Sequence, residues 1–395
     1  MTNPVSINRF LGLRNRVDTL RTVKDGAMGL TQADNIYLDD EQKIQFAEGF
    51  TRNSTTVARE LICSKDEQRA MMIVGAQLER LNDDMTLTTI AADLDETAEY
   101  DYCEVNEDIY LISDTGDARV VGTDFSVRQW GLPIPDQVDL RQTSGYLPAG
   151  RYQVTCTFVS TTDGRESGAP LSTVLEVDAD SGLIISDIPT IAGTKTRVYI
   201  SSTNGDTLYR AFETTQTTVV WNGPVDELVD PLRTQFLRPP PAADRVTYYA
   251  GQLILSYWDA HRNISVLYGS QPLGFELFDT LKHVNVLPGR VHVLHGMKDY
   301  LLIGTDSEIY ILTAEGLEKV ADYGVPKGKS DVEYGKQVYF WSNRGVCRAA
   351  PFENLTEGDV SLPPGTDVFG AMMESGGVKK YVALLNDTGT ARDAY

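Results

Sequence analysis

Apolar positions fall into short alternating runs, each cut off by a small polar turn, and three stretches repeat one pattern. They read V-T-Y-Y-A-G-Q-L-I-L-S-Y-W-D (246–259), V-L-H-G-M-K-D-Y-L-L-I-G-T-D-S-E-I-Y-I-L (293–312) and V-E-Y-G-K-Q-V-Y-F-W-S-N-R-G-V-C-R (332–348). Each is an apolar strand, a turn with Gly or Lys, and a second apolar strand. Ser256, Gly304 and Ser342 hold equivalent places, about 48 and about 38 residues apart. A repeat of roughly 40–50 residues with several strands in it predicts β-propeller blades, because one small sheet cannot bury both its faces alone. Further copies begin near Glu60, Tyr100 and Met372, so about six blades are expected.

Between Leu132-Pro133-Ile134-Pro135 and Arg238-Pro239-Pro240-Pro241 the spacing changes to single strands every 8–12 residues. The predicted strands are R-Y-Q-V-T-C-T-F-V-S, L-S-T-V-L-E-V, G-L-I-I-S, T-R-V-Y-I-S, T-L-Y-R-A-F-E and T-T-V-V-W. Tyr152, Val154, Cys156 and Phe158 share a face by period two. Asp163-Gly164 and Asn204-Gly205 are hairpin turns. The piece Y-x-V-x-x-x-x-V-x-x-x-x-G-x-E-S (Tyr152 to Ser167) resembles the last hairpin of fibronectin type III domains. G-L-I-I-S and T-R-V-Y-I-S resemble strands that come earlier in that family, so the order is permuted. The expected fold is therefore all-β: a propeller of about six blades with an inserted immunoglobulin/fibronectin-III-like β-sandwich. Residues 1–29 form an N-terminal arm, 30–145 the first part of the propeller, 146–238 the insert, and 239–395 the second part.

Residues 1–24 carry Arg9, Arg14, Arg16, Arg21 and Lys24 without steady periodicity, which reads as an extended arm or one short helix. Such an arm is either a tail packed on the domain edge or a tie to an acidic neighbour through Arg9, Arg14 and Arg16. Residues 30–51 read as a hairpin that turns at Asp39-Asp40-Glu41 and that can complete the last blade. Asp93 to Asp108 reads as a solvated acidic connection.

Composition narrows the function. The formal charge of −21 argues against an outer surface that grips phosphates. No apolar run approaches 18 residues, and residues 1–16 lack the apolar core of a secretory signal. Cys63, Cys103, Cys156 and Cys347 have no C-x-x-C spacing; three of them alternate with strand-like neighbours and read as small buried hydrophobes in a reducing compartment.

Candidate chemistry is sparse. Asp114-Thr115-Gly116 and Asp387-Thr388-Gly389 have matching flanks and read as one hairpin turn in two blades, not as an aspartic protease pair. Gly324 to Ser330 is one residue short of a phosphate loop and carries a Pro, so it reads as a link between blades. His292 and His295 are three apart on a strand and face opposite sides, and no third metal ligand joins His283. The sequons at Asn53, Asn263, Asn354 and Asn386 mean little without secretion. No catalytic residue, metal site or cofactor is expected.

The opening I-N-R-F-L-G-L-R-N-R-V-D-T-L, with the hairpin L-T-Q-A-D-N-I-Y-L-D-D-E-Q-K-I-Q-F-A-E-G-F-T, resembles the start of bacteriophage tail-nozzle proteins. These are the tail-hub, tubular or stabilisation proteins of short-tailed phages. L-Y-G-S-Q-P-L-G-F-E-L-F-D, L-L-I-G-T-D-S-E-I-Y-I-L and V-Y-F-W-S-N-R-G-V are similar to the same family. The resemblance implies a structural virion subunit, assembled in the host cytoplasm into a ring, usually a hexamer, below portal and adaptor proteins and near tail fibres or spikes. The ring retains the genome and then conducts its DNA without specific binding, which an acidic lumen favours. An alternative is a receptor- or carbohydrate-binding tail protein with Trp130, Trp258 and Phe275 exposed on blade loops. A propeller glycosidase would need convergent carboxylates near the axis.

Overall fold

The computed structural model describes residues 9–16, 23–24, 27–33, 36–38, 41–46, 56–224, 228–282, 284–362, 365–375, 378–386 and 391–392. Asp39-Asp40, Asn53, His283 and Asp387-Thr388-Gly389 lie outside them. Among the described residues every regular element is a strand, so the chain is all-β.

Alternating apolar residues and tight turns produce a series of small sheets, and none closes on itself. The first runs Glu60–Cys63, Ala70–Val74, Gln77–Leu81, Leu87–Ala91, and the second Tyr100–Val105, Asp108–Ser113, Ala118–Val121, Val127–Gln129. The third contains Arg245–Tyr249, Gln252–Asp259, Ile264–Gln271, Gly274–Phe278 and Asn285–Pro288. The fourth runs Val291–Gly296, Leu301–Thr305, Ile309–Thr313, Gly316–Ala321, and the fifth Val332–Tyr334, Gln337–Ser342, Gly345–Ala349, Glu353–Asn354. In each, sequence neighbours pair antiparallel, except that Asn285–Pro288 pairs with Ile264–Gln271 rather than with Gly274–Phe278.

The sixth sheet is built differently. Asp367–Ser375 pairs antiparallel with Val378–Asn386, which pairs with Ala391–Arg392. Its other neighbour is Lys327–Lys329, which runs parallel to Asp367–Phe369. The segment expected to be a bare link thus supplies a strand. Gly328 makes this possible: its φ is +117°, and a Cβ there would stand 2.1 Å from the Val368 carbonyl oxygen. The hairpin was expected to be able to complete this sheet, but among the described residues Ile36–Leu38 pairs with Ile44–Phe46 in a two-stranded sheet of its own.

Consecutive sheets share cores. Ile62, Met71 and Ile73 of the first meet Ile109, Leu111 and Val121 of the second. Tyr110, Ile112 and Val120 meet Val246, Leu253 and Leu255 of the third. Leu267 and Leu287 meet Leu301 and Ile303 of the fourth. Val293 and Leu302 meet Val338 and Phe340 of the fifth, whose Trp341 packs on Val368, Ala383 and Leu385 of the sixth. Fully burying one such side chain is worth about 1.5–3 kcal/mol, so each sheet is held mainly by its neighbours.

Between the second and third sheets, the chain forms a two-layer unit. Asp139–Leu147, Ser181–Ser186 and Val219–Trp221 make one layer; Thr173–Val177, Gly150–Ser160, Thr194–Ser201 and Leu208–Thr214 make the other. Leu140, Leu183, Ile185 and Trp221 of the first layer pack on Tyr152, Val154, Cys156 and Val198 of the second. All six strands read from the sequence are present. The expected boundary at 146 cuts through an additional strand, Asp139–Leu147, which pairs with Ser181–Ser186 along its length. That strand reads D-L-R-Q-T-S-G-Y-L, with few apolar residues, so its polarity hides it.

Candidate functional site

Charged residues recur at the start of the sheets: Glu60, Glu99 and Asp101, Asp244 and Arg245, Arg290 and His292, Lys327 and Lys329. On a strand, residues two apart share a face, so Lys327 and Lys329 project together. Tyr100–Val105, Arg245–Tyr249, Val291–Gly296 and Lys327–Lys329 lie side by side in that order, which gathers these charges into one polar hub.

The hub is tightly paired. Lys329 Nζ lies 2.8 Å from Glu60 Oε1 and 3.0 Å from Asp101 Oδ1, and it donates to the Tyr100 carbonyl at 2.9 Å. Lys329 therefore joins the sixth sheet to the first and the second. The other Asp101 oxygen accepts from the Val246 amide at 2.8 Å. Arg245 is buried, and its guanidinium donates to three backbone carbonyls: His292 and Asp244 at 2.8 Å and Gly328 at 2.9 Å. Lys327 pairs with Glu99, which also lies 3.9 Å from Arg290. Burial pushes the Glu60 carboxyl up against the pull of Lys329. Glu99 is held below its usual range because Lys327 and Arg290 outweigh its partial burial.

Two histidines flank the hub with opposite charge preferences. Burial first, and then Arg245, Arg290 and Lys327, lower the His292 pKa to about 4. Burial also works against a charge on His295, but hydrogen bonding to Asp331 and Glu333 overcomes it and raises the pKa to about 9. His295 Nδ1 is 2.8 Å from Asp331, and Nε2 is 3.7 Å from Glu333.

At one end of the hub a cleft of about 190 Å³ opens, lined by Asp114, Ala243, Asp244, Tyr257, Trp258 and Arg290. The elements that form it are the turn after Asp108–Ser113, the approach to Arg245, the end of Gln252–Asp259 and the approach to Val291. Asp114 is set by its turn, where the Gly116 amide donates to the Ser113 carbonyl at 3.1 Å and Asp114 Oδ1 accepts from the Glu99 amide at 3.0 Å. Asp244 is 5% exposed; its Oδ1 is 2.5 Å from Arg290 Nη2. Its Oδ2 has no hydrogen-bond partner among the described residues. Burial raises the Asp244 pKa despite Arg290.

The residues singled out from sequence fall as follows. Arg14 Nη2 lies 3.4 Å from Asp359, and Arg16 donates from its backbone to the Asp359 carbonyl and from its side chain to the Glu357 carbonyl. Both are thus used within the chain, while Arg9 is exposed at the head of the strand Arg9–Leu13, which pairs parallel with Ala27–Leu30. Trp130 and Phe275 do not stand on loops: they are 2% and 8% exposed, and the Trp130 indole donates to the Phe275 carbonyl at 2.7 Å. Trp258 alone of the three aromatics lines the cleft. The acidic stretch from Asp93 is not all solvated, since Asp101 is buried in the hub and Glu104 pairs with Arg69 at 3.1 Å, both side chains 10% exposed. Cys156 and Cys347 are buried as expected, whereas Cys63 is exposed.

No protein-family model matches the chain, and no curated protein matches it. Its backbone is similar to solved structures at low identity. Dipeptidyl peptidase 4 of Porphyromonas gingivalis shares 9% identity at a TM-score of 0.31, over 82% of this chain and 41% of that one. PorZ, described as a surface component of the type-IX secretion system of the same organism, shares 13% at 0.22, over 89% and 56%. Apo AztD of Citrobacter koseri shares 13% at 0.28, over 74% and 84%. The chain thus spans about half the length of the first two, and at these TM-scores none of the three carries an argument about function.

Proposed function

We propose that this chain is a structural subunit of a short-tailed phage tail, a nozzle-type ring protein that retains and then conducts the genome, and that it is not an enzyme. In this reading the six sheets are the blades of a β-propeller and the two-layer unit is a permuted fibronectin-III-like insert. The observation that supports it is the hub: Lys329 ties the sixth sheet back to the first, as closure of a ring of blades would require. Its acids and bases are committed to one another, which favours a rigid building block over a reactive centre. The motif resemblance at both ends of the chain supplies the tail assignment. Tyr152 supports the insert, since its hydroxyl donates to the Pro148 carbonyl at 3.0 Å, the local bond of a tyrosine corner.

Partners in this reading are further copies of the chain, portal and adaptor proteins above, and tail fibres or spikes. Arg9 is left to contact a neighbour. The charge of −21 per subunit, multiplied round a ring, gives passing DNA nothing to hold. The purified protein is expected to form a closed ring by light scattering and electron microscopy and to leave a DNA duplex unshifted at moderate salt. A monomer at all concentrations, or a ring that retains duplex DNA, defeats this reading.

The insert should be removable. Deleting residues 136–237 and closing the gap with a short Gly-Ser linker should leave cooperative unfolding of the remaining sheets, because the unit has its own core. Ties across the junction come from Arg165, whose Nη1 reaches Glu276 at 3.0 Å and the Gln129 carbonyl at 3.4 Å. A broad, non-cooperative melt of the deleted protein would show that the unit is integral.

A further inference from the structure

We infer that Glu276 is the latch of a joint: through Arg165 it holds the two-layer unit at one angle to the six sheets, and without it the unit swings as a rigid body. The inference holds whether or not the chain forms a ring.

No apolar core spans the joint among the described residues. The buried core of the two-layer unit draws only on that unit, from Val138 to Trp221. The neighbouring core of the second and third sheets contains none of its residues. Units that share no core move relative to one another unless polar contacts stop them.

Two linkers form the pivot. On the way in, residues 132–135 read Leu-Pro-Ile-Pro, and the prolines have no amide to donate. Just before them the chain passes close to the outgoing linker, where a Cβ on Gly131 would stand 2.9 Å from Pro239 Cβ. On the way out, Arg238 and Phe278 exchange backbone hydrogen bonds of 2.9 and 2.8 Å, which fix Arg238 to the third sheet. Gln235 bridges instead to Ala169, so it moves with the unit. Two points of attachment leave one rotation free, about the line that joins them.

A third point stops that rotation. Among the described residues, the hydrogen bonds that residues 139–221 make to the sheets all come from Arg165, whose Nη1 reaches Glu276 Oε2 at 3.0 Å and the Gln129 carbonyl at 3.4 Å. The turn at Asp163-Gly164 presents Arg165, and its Nε donates to Asp163 at 2.6 Å. Glu276 is set to receive it. Arg128 Nη2 donates to Oε1 at 2.8 Å, and the Gly131 amide donates to Oε2 at 2.8 Å. The carboxylate is thus oriented independently of Arg165. Both side chains of the Arg165–Glu276 pair are 20% exposed, so salt screens this charge-assisted bond less than one at the open surface.

The test uses the full chain with Cys63→Ser and spin labels on Ala179→Cys in the unit and Ala314→Cys on the fourth sheet, all at exposed positions. A second pair, Thr207→Cys with Ala314→Cys, guards against a label that lies on the rotation axis. Double electron–electron resonance should give a narrow distance distribution for this parent. Glu276→Gln and Arg165→Gln should each at least double its width. The double variant should be no broader than either single one, because both remove the same contact. Arg151→Gln, which breaks an exposed pair with Asp206 inside the unit, should leave the width unchanged. Circular dichroism and thermal unfolding are recorded for each variant. Glu276→Gln also takes a partner from Arg128, so Arg165→Gln carries the test if Glu276→Gln is misfolded. A parent distribution already as broad as the variants', a width unchanged in Arg165→Gln, or an equal broadening in Arg151→Gln would each overturn the inference. Loss of the unit's own fold in Arg165→Gln would overturn it too, since Arg165 would then serve the unit and not the joint.

Discussion

Arg245→Met is expected to lower the folding stability of the protein by about 3–5 kcal/mol, because its buried guanidinium serves three backbone carbonyls at once. The side chain is close in length and buried, so the loss is chemical rather than volumetric. Three carbonyls, on His292, Asp244 and Gly328, would keep their burial and lose their donor. Each unmade buried bond costs about 1–3 kcal/mol. The cation that acts on Glu60, Glu99 and Asp244 would also disappear. Arg245→Lys should lose less, because the charge remains while one ammonium cannot hold three divergent carbonyls in a planar fork. Urea unfolding, followed by both fluorescence and circular dichroism, reads the difference. A midpoint for Arg245→Met within experimental error of the wild type would mean that the hub contributes nothing to holding the sheets together.

Stability should peak near neutral pH and fall on both sides, by up to about 3 kcal/mol for each histidine. The sign is opposite for the two. His295 has a folded pKa of about 9 against 6.5 unfolded, so its contribution is complete below 6.5 and is lost as the pH rises to 9. His292 has a folded pKa of about 4, so its contribution is complete above 6.5 and is lost as the pH falls to 4. Each gap from 6.5 is worth about 3 kcal/mol when fully developed, at roughly 1.4 kcal/mol per pH decade. The causes are structural: Asp331 and Glu333 face His295 across sheets, whereas Arg245, Arg290 and Lys327 surround His292. Melting temperatures from pH 4 to pH 9.5 read the profile. His295→Gln should flatten the alkaline limb and leave the acid one. An alkaline limb unchanged in that variant would separate His295 from the pH dependence.

Much of the local architecture is legible in the chain. Period-two alternation and the turns at Asp114-Thr115-Gly116, Asp163-Gly164 and Asn204-Gly205 place strands where they occur, because these signals act over a few residues. Several strands escaped, among them Arg9–Leu13, Ala27–Leu30, Asp139–Leu147 and Lys327–Lys329. Asp139–Leu147 is mostly polar, since one side of it stays wet. Lys327–Lys329 is too short for any periodicity, and it forms only because Asp367–Phe369 lies alongside. The site was less legible still. Trp130 and Phe275 look like surface aromatics in sequence, yet they join one core with Tyr110 and Phe278. Trp258 looked no different from them.

The reason lies in the range of the interactions. Alternation settles which face of a strand is apolar, so the all-β class, the strand-rich repeats and the apolar stripe Tyr152, Val154, Cys156 and Phe158 follow from composition and spacing alone. Charge pairing is settled by proximity in space. Lys329 and Glu60 are far apart in the chain, and so are Arg245 and Gly328, and no local pattern says which acid meets which base. The recurring charge at the head of each apolar run was visible, but its meaning depended on the sheets stacking so that those heads converge. Only that convergence made the lysines, acids and arginine into a hub, and left Asp244 and Trp258 at the edge of a cleft.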